Sequence, residues 1–410
     1  MLYIQSLKKI KVLYISYDGL SDPLGQSQIL PYLTKLAHGN VFIDIISYEK
    51  KKIITSRLEL IHQKIKNTNI NWKHLSYTKT PPLLSSIIDL CKGINAIKQL
   101  NKHKSYDIVH CRGYIPGLLG LKTNKKYNVK LIFDMRGWWP DEKKESGHWD
   151  NIIFKVIYNY FKRKEIQLFS NSDKIISLTT AGKIEITKNN WSTPEKIGVI
   201  PTCVDFDNFP LFKEEIRIQI RKKLNIDLNA KVLVYSGSLG GNYDIKEFSL
   251  IFKAFINLRP DNRILIVTKT PKKFILNKLI ATKLDISRVI IVESEFSHVY
   301  KYLQASDVGL ILYKKAFSTL GRSPTKLGEY WSSGIPCLSL KGIGDLDFIQ
   351  KKYPFGLELL EDFNNIDLKK LLQKVFSKAN IENLRSAAKE YYHIDKGINF
   401  YSNIYKELTN

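Results

Sequence analysis

The sequence predicts an α/β protein with two domains, each built around a doubly wound parallel sheet. The chain has 410 residues, which is enough for two ordinary domains. Short apolar runs alternate with longer amphipathic segments, the pattern of parallel strands joined by helices. The alternation is interrupted near residue 200 and starts again at residue 231, so each half is expected to form its own sheet.

In the first half, apolar runs follow one another at the spacing of β–α units. Residues 9–17 are almost continuously apolar, as expected for a strand buried on both faces of a sheet. Further strands are predicted at residues 41–48, 71–75, 107–111, 130–135, 174–178 and 197–200. Helices are predicted at residues 26–39, 53–66 and 83–100.

The second half repeats this arrangement. Its predicted strands are residues 231–236, 263–268, 289–292, 306–312 and 335–340, and helices are predicted from residue 244 and at residues 395–408. Residues 200–205 are interpreted as the crossing between the domains. Asp205 and Asp207 have the spacing of an Asp-x-Asp metal motif, but they lie in this linker, so no metal site is expected.

The bulk composition is unusual in its charge. The formal net charge is +25, and residues 1–200 contain 32 Lys and Arg against 16 Asp and Glu. Such an excess suits nucleic acid, anionic lipid or anionic small molecules. A general preference for Lys, Ile and Asn would produce it equally well, so the charge alone does not choose among these partners.

The cellular compartment is predicted from motifs and segments that the sequence lacks. The four cysteines form no CxxC or His/Cys cluster, which argues against a disulfide framework and a structural zinc site. No apolar stretch is long enough to span a bilayer, and the first residues lack the apolar core of a signal peptide. A location in the cytosol, or on the cytosolic face of a membrane, is therefore expected.

Residues 322–340 combine the features of a binding site for a phosphate group and a sugar. Ser323-Pro324-Thr325 opens a helix, with Pro324 suited to the first turn, and Gly334 ends that helix after about three turns. A helix start offers free N–H groups to an anion, and Arg322 and Lys326 add full positive charges there. One turn later, Glu329 presents a carboxylate, which accepts hydrogen bonds from vicinal hydroxyls.

These residues resemble the donor-binding segment of the retaining GT-B glycosyltransferases of family 4, of the bacterial surface-polysaccharide type. The motif is Ser-Pro-Thr-Lys-Leu-Gly-Glu-Tyr-Trp-Ser-Ser-Gly-Ile-Pro. The resemblance implies that Glu329 binds the ribose and that the backbone around Ser323 and Thr325 holds the diphosphate. The family's first Glu falls on Gly321, so this chain departs from the pattern there.

Two loops of the first half are similar to family 4 segments as well. In the loop at residues 18–28, the resemblance makes Gly25 a contact of the donor phosphates and Asp18 and Gln26 contacts of the acceptor. The loop at residues 134–142 matches the family's Asp-x-Arg-Gly segment. Its candidate residues are Asp134 and Arg136, assigned as catalytic, and Trp138, Trp139, Asp141 and Glu142, assigned to the acceptor. Adjacent Trp residues are equally consistent with one core and one surface position, and the two acids with a helix cap.

The loop at residues 237–242 corresponds to the family loop that faces the donor diphosphate. Gly237 and Ser238 are its candidate residues, and Lys246 is an offset substitute for the family's Lys. Because Ser238 stands at the family's Arg position, Arg322 is expected to supply that charge. Phe296 and Val299 are carried over as contacts of the nucleobase.

The resemblance implies two facing Rossmann-like domains with a C-terminal helix crossing back to the first. Residues 1–203 with 391–410 would bind the acceptor, and residues 204–390 the nucleotide sugar. Arg322 and Lys326 would stabilise the leaving diphosphate, with no metal and no cofactor, and a lipopolysaccharide or capsule saccharide, lipid-linked or not, would accept the sugar. The alternatives are a nucleotide-sugar epimerase of the same fold and a basic nucleic-acid-binding protein. Lys-rich segments at residues 50–66 and 92–104 are expected to dock the enzyme on an anionic membrane, although their apolar stripe also suits a core-facing helix.

Overall fold

The computed structural model describes residues 8–50, 55–81, 84–239, 245–362 and 367–410. The strands in chain order are β1 Ile10–Ser16, β2 Val41–Glu49, β3 Ile70–Ser76, β4 Ile108–Arg112, β5 Lys130–Asp134, β6 Lys174–Ser177, β7 Ile197–Val199, β8 Val232–Ser236, β9 Arg263–Val267, β10 Val289–Val292, β11 Val308–Ile311, β12 Cys337–Leu340 and β13 Leu357–Leu360.

Helices connect most of these strands. They are α1 Pro23–Gln28, α2 Leu30–Leu36, α3 Thr55–Ile65, α4 Leu84–Asn101, α5 Tyr114–Tyr127, α6 Trp139–Glu145, α7 Ile152–Asn171, α8 Thr180–Lys188, α9 Glu214–Lys223, α10 Ile245–Leu258, α11 Lys272–Ile280, α12 Val299–Gln304, α13 Thr325–Ser332, α14 Leu346–Lys352, α15 Leu368–Lys378, α16 Ile381–Tyr392 and α17 Ile394–Thr409.

The chain divides into two compact units. The first comprises Met1–Pro201 and Ile394–Asn410, and the second Thr202–His393. Each unit has one parallel sheet, so the predicted fold class, α/β with two Rossmann-like domains, is confirmed. The last helix, α17, belongs to the first unit, where it packs on α2 and β1.

In the first unit, the described strands run in the order β3-β2-β1-β4-β5-β6-β7. Val12 in β1 lies between Ile43 of β2 and Ile108 of β4, and all three side chains are buried. Burial on both faces explains why these strands are continuously apolar in sequence. The strand order reverses between β1 and β4, which makes the carboxyl ends of these two strands a natural place for a ligand.

In the second unit, the order of the described strands is β10-β9-β8-β11-β12-β13. Here the order reverses between β8 and β11, whose carboxyl ends lead into the loop at Gly237 and the segment before α13. The core extends from the central strands to the packed faces of α10 and α13, where Phe248, Phe252 and Trp331 are buried. The fold therefore directs the two segments predicted to hold the donor toward one edge of this sheet.

Several predicted elements differ from the structure in their bounds. The helix expected at residues 26–39 is two helices, α1 and α2, separated at Ile29, and it starts three residues earlier at Pro23. Helix α13 is shorter than predicted, and Pro324 immediately precedes it. Gly334 ends that segment with φ +78°, as its glycine predicts. Residues 53 and 54 of the predicted helix at 53–66, residue 83 of that at 83–100 and residue 244 of that predicted from 244 lie outside the described residues.

Across the described ranges, no helix is both long enough and apolar enough to cross a bilayer. Of the two Lys-rich segments proposed for membrane contact, residues 92–104 include the end of α4. Residues 50–66 include α3, which turns Ile61 and Ile65 into the core. Its apolar stripe is therefore accounted for by packing within the first unit.

Candidate functional site

Lys326 lies against the glycine that follows β8. Gly237 has φ +132°, and a methyl group added to it would lie 3.1 Å from Nζ of Lys326. The same ammonium lies 5.2 Å from the ring centroid of Tyr235, a cation–π distance. A side chain at position 237 would therefore push the ammonium away from the loop. The structure brings together two residues, Gly237 and Lys326, that the sequence predicted separately.

Tyr330 fixes α13 against the end of β8. Its hydroxyl accepts a hydrogen bond from the backbone N–H of Ser236 at 3.1 Å and donates to the carbonyl of Leu310 at 3.2 Å. Its ring covers Gly309, where an added methyl group would lie 2.3 Å from a ring carbon. The sequence analysis did not single out Tyr330, since a buried aromatic in a helix gives no signal of its partners.

A second cation lies before the start of α13. The guanidinium carbon of Arg322 is 4.9 Å from the ring centroid of Tyr313, and Nζ of Lys326 is 5.9 Å from the same centroid. Ser323 accepts a hydrogen bond from the backbone N–H of Thr202 at 3.0 Å, which ties the segment down. Two positive charges thus accompany the free N–H groups at the helix start near Thr325, an arrangement that suits an anion.

Glu329 is a buried carboxylate one turn into α13. Burial raises its pKa to about 7, against the opposing effect of the neighbouring Lys326 ammonium. Nine per cent of the residue's surface is exposed, and no group in the described part of the chain donates a hydrogen bond to its carboxylate. A carboxylate held in this way can accept hydrogen bonds from ligand hydroxyls that replace its lost hydration.

The other predicted donor residues differ in how far their side chains are exposed. Ser238 is exposed, and its carbonyl accepts a hydrogen bond from Tyr235 at 2.7 Å. Phe296 is 37% exposed, at a ring-to-ring distance of 5.9 Å from Phe209. Val299 is buried in the core, so its side chain is not open to a base. Residues 240–242 of the loop, and the side chain of Lys246, lie outside the described residues.

Close packing against the preceding loop requires glycine at position 25. It lies within α1, where an added methyl group would meet the carbonyl oxygen of Gly19 at 2.1 Å. Its Cα is packed against the preceding loop, which requires glycine there whether or not a ligand binds, and its contact with the donor phosphates stays a prediction. The turn before it is held by Glu49, which accepts hydrogen bonds from the N–H of Leu20 at 2.6 Å and the hydroxyl of Ser21 at 2.5 Å. Glu49 was missed in the sequence because it ends an otherwise apolar strand.

Asp134 is the centre of a buried polar cluster at the carboxyl end of β5. It accepts a hydrogen bond from Tyr401 of α17 at 3.0 Å, and it lies 3.8 Å from Arg112 and 3.7 Å from Arg136. Although burial opposes its ionisation, Arg136, His110 and Arg112 hold the pKa of this carboxyl at about 2. Asp134 is only 1% exposed, so we expect it to orient its partners, and its assignment as catalytic stays a prediction.

Arg136 is the more accessible member of this cluster. Its side chain is 16% exposed, and its backbone has φ +55°, followed by Gly137 at +109°. Two consecutive left-handed residues turn the chain sharply between β5 and α6. A cavity of about 10 Å³ is lined by Tyr14, Tyr32, Arg112, Asp134 and Arg136, among others. This is roughly the smallest space that admits one water molecule.

His110 completes the cluster as a neutral group. Burial lowers its pKa, with the positive charges of Arg112 and Arg136 acting in the same direction against Asp134. Its Nδ1 lies 2.8 Å from the Tyr405 hydroxyl on α17. Tyr401 and Tyr405 thus link the last helix to the carboxyl ends of the first sheet.

The loop at residues 138–142 is more structural than predicted. Trp138 is fully buried, with the Lys162 ammonium 5.3 Å from its ring, so it cannot stack on a sugar and its assignment to the acceptor is wrong. Asp141 accepts hydrogen bonds from Tyr158 at 2.8 Å and Lys162 at 2.9 Å, both on α7. Its carboxylate is therefore engaged within the protein, and its assignment to the acceptor stays a prediction.

Four predicted acceptor-side residues keep access to solvent. Asp18 is 46% exposed in its side chain and lies 3.7 Å from Arg112. Gln26 donates to the carbonyl of Leu20 at 2.7 Å, while Trp139 and Glu142 are half-buried at the start of α6. Asp18 and Gln26 lie on the loop after β1, beside the switch point of the first sheet.

Three comparisons bear on the identity of the protein. A family model described as Glycosyltransferase Family 4 matches residues 56–208. The UDP-Gal:alpha-D-GlcNAc-diphosphoundecaprenol alpha-1,3-galactosyltransferase of Escherichia coli is 23% identical over 332 residues, which are 79% of this chain and 81% of that protein.

Solved structures share the fold over nearly the whole chain. Sucrose-phosphate synthase from Thermosynechococcus elongatus has a TM-score of 0.71 and 14% identity, covering 98% of this chain and 99% of the other. Anabaena HepE, solved with UDP and glucose, has a TM-score of 0.69 and 12% identity, covering 96% and 99%. UDP-GlcNAc 2-epimerase from Neisseria meningitidis has a TM-score of 0.60 and 16% identity, covering 97% and 100%. The solved structures show the fold of two Rossmann-like domains, and the family match and the curated relative show that this chain is similar to glycosyltransferases of family 4.

Proposed function

We propose that the protein transfers a sugar from a nucleotide diphospho-sugar to a saccharide acceptor, with retention of the anomeric configuration and without a metal. The observation that carries this proposal is the contact of Lys326 with Gly237. A cation, a glycine loop and a helix start meet at the switch point of the second sheet, where open α/β sheets bind ligands.

The chemistry follows from the charge that develops during transfer. The bond between the anomeric carbon and a diphosphate oxygen breaks, and the leaving diphosphate takes the bonding electrons. Preorganised donors aimed at such a group lower the barrier, and one of them contributes about 3–4 kcal/mol. Lys326, Arg322 and the N–H groups at the start of α13 supply this stabilisation in our proposal. An acceptor hydroxyl attacks the same face of the sugar and gives its proton to the leaving oxygen.

Glu329 is proposed to bind the ribose. Its carboxylate receives no hydrogen bond from a described residue, and it lies one turn along α13 from Lys326. Two ribose hydroxyls would donate to its oxygens and favour the charged form. Phe296 is exposed enough to cover a base, and Ser323 and Thr325 would contribute to the phosphate side.

For the substrates, we propose a UDP-hexose donor and a lipid-linked saccharide acceptor. The name of the Escherichia coli relative contains both, and HepE was solved with UDP and glucose. The acceptor would bind the first unit near Asp18, Gln26, Arg136, Trp139 and Glu142. Such a substrate would place the enzyme on the cytosolic face of a membrane, where a lipopolysaccharide or capsule precursor is extended.

The alternative activity, that of a nucleotide-sugar epimerase, requires different catalytic groups. It would need acid and base groups that reach the sugar ring of a nucleotide sugar in the absence of an acceptor. In the first unit, His110 and Asp134 are both almost fully buried, which does not suit proton transfer to a sugar. The fold alone does not separate the two activities, since the epimerase from Neisseria meningitidis shares it.

The test is a transfer assay with radiolabelled UDP-galactose, UDP-glucose and UDP-N-acetylglucosamine. Each donor is incubated with the protein and a lipid-linked saccharide in the presence of a chelator, and label in the organic phase is counted. The proposal predicts transfer that survives the chelator and a product whose anomeric proton coupling matches that of the donor. Inversion, or conversion of a nucleotide sugar without any acceptor, would contradict it.

A further inference from the structure

Large apolar side chains are exposed at the beginnings of two helices of the first unit. In the first half of α7 they are Ile152, Ile153, Val156 and Tyr160, which are 82%, 60%, 69% and 46% exposed. At the start of α4 they are Leu84, Ile87 and Ile88, which are 57%, 56% and 44% exposed. Several exposed apolar side chains close together on one helix mark an interaction site, whereas single exposed residues do not.

The exposed stripe on α7 is distinct from the stripe that holds the helix in place. Phe161, Glu165 and Leu168 face the core and are buried. Ile152, Val156 and Tyr160 recur every four residues on the other side. Helix α7 begins at this exposed end, with Asn151 as its cap, so the apolar side chains lie on an ordered helical turn. Packing within the unit therefore does not account for them.

Both exposed ends lie at the same edge of the first sheet. Helix α5 packs against both α4 and α7, so the three helices share one layer. In a parallel sheet the connecting helices run back from the carboxyl ends of the strands, so α4 and α7 begin at the carboxyl edge. The loops that carry Asp18 and Arg136 leave the sheet at that same edge. We name the exposed side chains of these two helix starts, those within residues 84–88 and 152–164, the α4/α7 face.

The charge on this face is entirely positive along α7. From Ile152 to Lys164 the sequence holds Lys155, Lys162, Arg163 and Lys164 and no acidic residue. Lys155 and Arg163 are exposed, and Lys162 is engaged with Asp141 and Glu165. Lys79, just before α4, and Lys144, on α6, are exposed too, and Asp150 is an exposed acid next to the start of α7. Apolar side chains bordered by basic ones are complementary to the interface of an anionic bilayer.

We propose that the α4/α7 face docks the protein on an anionic lipid surface. This inference rests on the proposed function, because a lipid-linked acceptor must be reached at the membrane. It assigns the contact to α4 and α7 rather than to α3, whose apolar residues Ile61 and Ile65 are buried. Docking by this face turns the carboxyl edge of the first sheet, with Asp18 and Arg136, toward the lipid headgroups.

The experiment is co-sedimentation of the purified full chain with vesicles of phosphatidylglycerol and phosphatidylethanolamine, and with vesicles of phosphatidylcholine alone. Each is measured at low and at physiological salt. We expect binding to the anionic vesicles that weakens with salt. The double variant Ile152→Ser/Val156→Ser should lose at least about fivefold in the bound fraction, and Lys155→Glu/Arg163→Glu should lose as much, by the apolar and charge contributions that interfacial helices combine.

A matched control is Ile184→Ser, which removes an isoleucine that is 59% exposed on α8 of the same unit. It should bind vesicles as the wild type does. Equal sedimentation of wild type and Ile152→Ser/Val156→Ser would overturn the proposal, as would no binding of the wild type to either vesicle. A dimer in solution that this double variant abolishes, without any vesicle binding, would assign the face to a second copy of the chain and also overturn it.

The outcome is separable from that of the proposed function. Transfer to a short water-soluble acceptor should be the same in the wild type and in both double variants, because the substituted residues lie outside the donor and acceptor segments. Vesicle binding without transfer to any acceptor would contradict the proposed function and leave the docking face supported. Sugar transfer without vesicle binding would contradict the docking face and leave the proposed function supported.

Discussion

The hydroxyl of Tyr330 and the backbone N–H of Ser236 are joined by a hydrogen bond of 3.1 Å. Ser236 is the last residue of β8 and directly precedes Gly237, whereas Tyr330 is in the middle of α13. The bond therefore sets the distance between the glycine loop and the helix that carries Lys326 and Glu329. In the proposed donor site, one buried tyrosine therefore holds the glycine loop and α13 together.

Tyr330→Phe should lower both stability and donor affinity. The N–H of Ser236 would remain buried without this acceptor, which costs about 1–3 kcal/mol. Chemical denaturation and donor titration measure the two effects. Tyr392→Phe is the matched control, because the buried Tyr392 hydroxyl has no hydrogen-bond partner among the described residues. If the two variants behave alike, the bond between Tyr330 and Ser236 does not organise the site.

Glu329→Gln should stabilise the unliganded protein at neutral and alkaline pH. The pKa of Glu329 in the folded chain is about 7, above its ordinary value, so folding favours the protonated form. Stability therefore falls as pH rises from about 4.5 to 7 and levels off above that range. The variant lacks this dependence, so its advantage of about 1–3 kcal/mol should appear at pH 8 and vanish near pH 4.5. Urea denaturation at both pH values, with the exposed Glu382→Gln as control, measures it.

The same substitution should weaken donor binding. A neutral amide accepts less strongly from two ribose hydroxyls, and the expected loss at pH 8 is about 1.5–3 kcal/mol. In the wild type, donor affinity should also fall as pH decreases through 7, because Glu329 becomes protonated. Calorimetric titration across this range checks both effects. A wild-type affinity that is constant from pH 6 to pH 8, or a variant that binds equally well, would remove Glu329 from the site.

Tyr401→Phe should raise the KM for the acceptor and leave donor affinity unchanged. The substitution removes the hydrogen bond to the ionised Asp134, a cost of about 1.5–3 kcal/mol, and loosens the carboxylate that orients Arg136. Steady-state kinetics with each substrate varied in turn separates the two effects. Tyr127→Phe, on a half-buried tyrosine of α5, is the control. A change in donor KM alone would show that the cluster acts elsewhere.

The sheets were predictable because their strands are buried on both faces and so are continuously apolar. Strand β13 was missed because Glu358 interrupts its apolar run. The buried carboxylate of Glu358 is paired with Lys374, sixteen positions away, at 2.8 Å and accepts a hydrogen bond from Gln350 at 3.3 Å. Contacts between distant segments of this kind have no signature in the local pattern.

More residues of the proposed donor segment than of the proposed acceptor segment could be predicted from the sequence. Gly237, Lys326 and Glu329 stand at positions where local chemistry, a glycine turn and a helix start, already indicates a ligand. By contrast, Trp138 and Trp139 are adjacent and chemically identical, and only the packing of α7 decides that Trp138 is the buried one. Asp141 likewise reads as a free acid until Tyr158 and Lys162 are brought to it by the fold.

The central claim is that Lys326 and the Gly237 loop hold a nucleotide diphosphate. Its most direct test is calorimetric titration of UDP and a UDP-hexose into the wild type, Lys326→Ala and Lys369→Ala, the last replacing an exposed lysine on α15. We predict that Lys326→Ala loses about 1.5–3 kcal/mol of affinity for UDP, the free energy of a hydrogen bond to a charged group, while Lys369→Ala binds UDP as the wild type does. Equal affinity of all three proteins for UDP would contradict the account and place the phosphate site elsewhere.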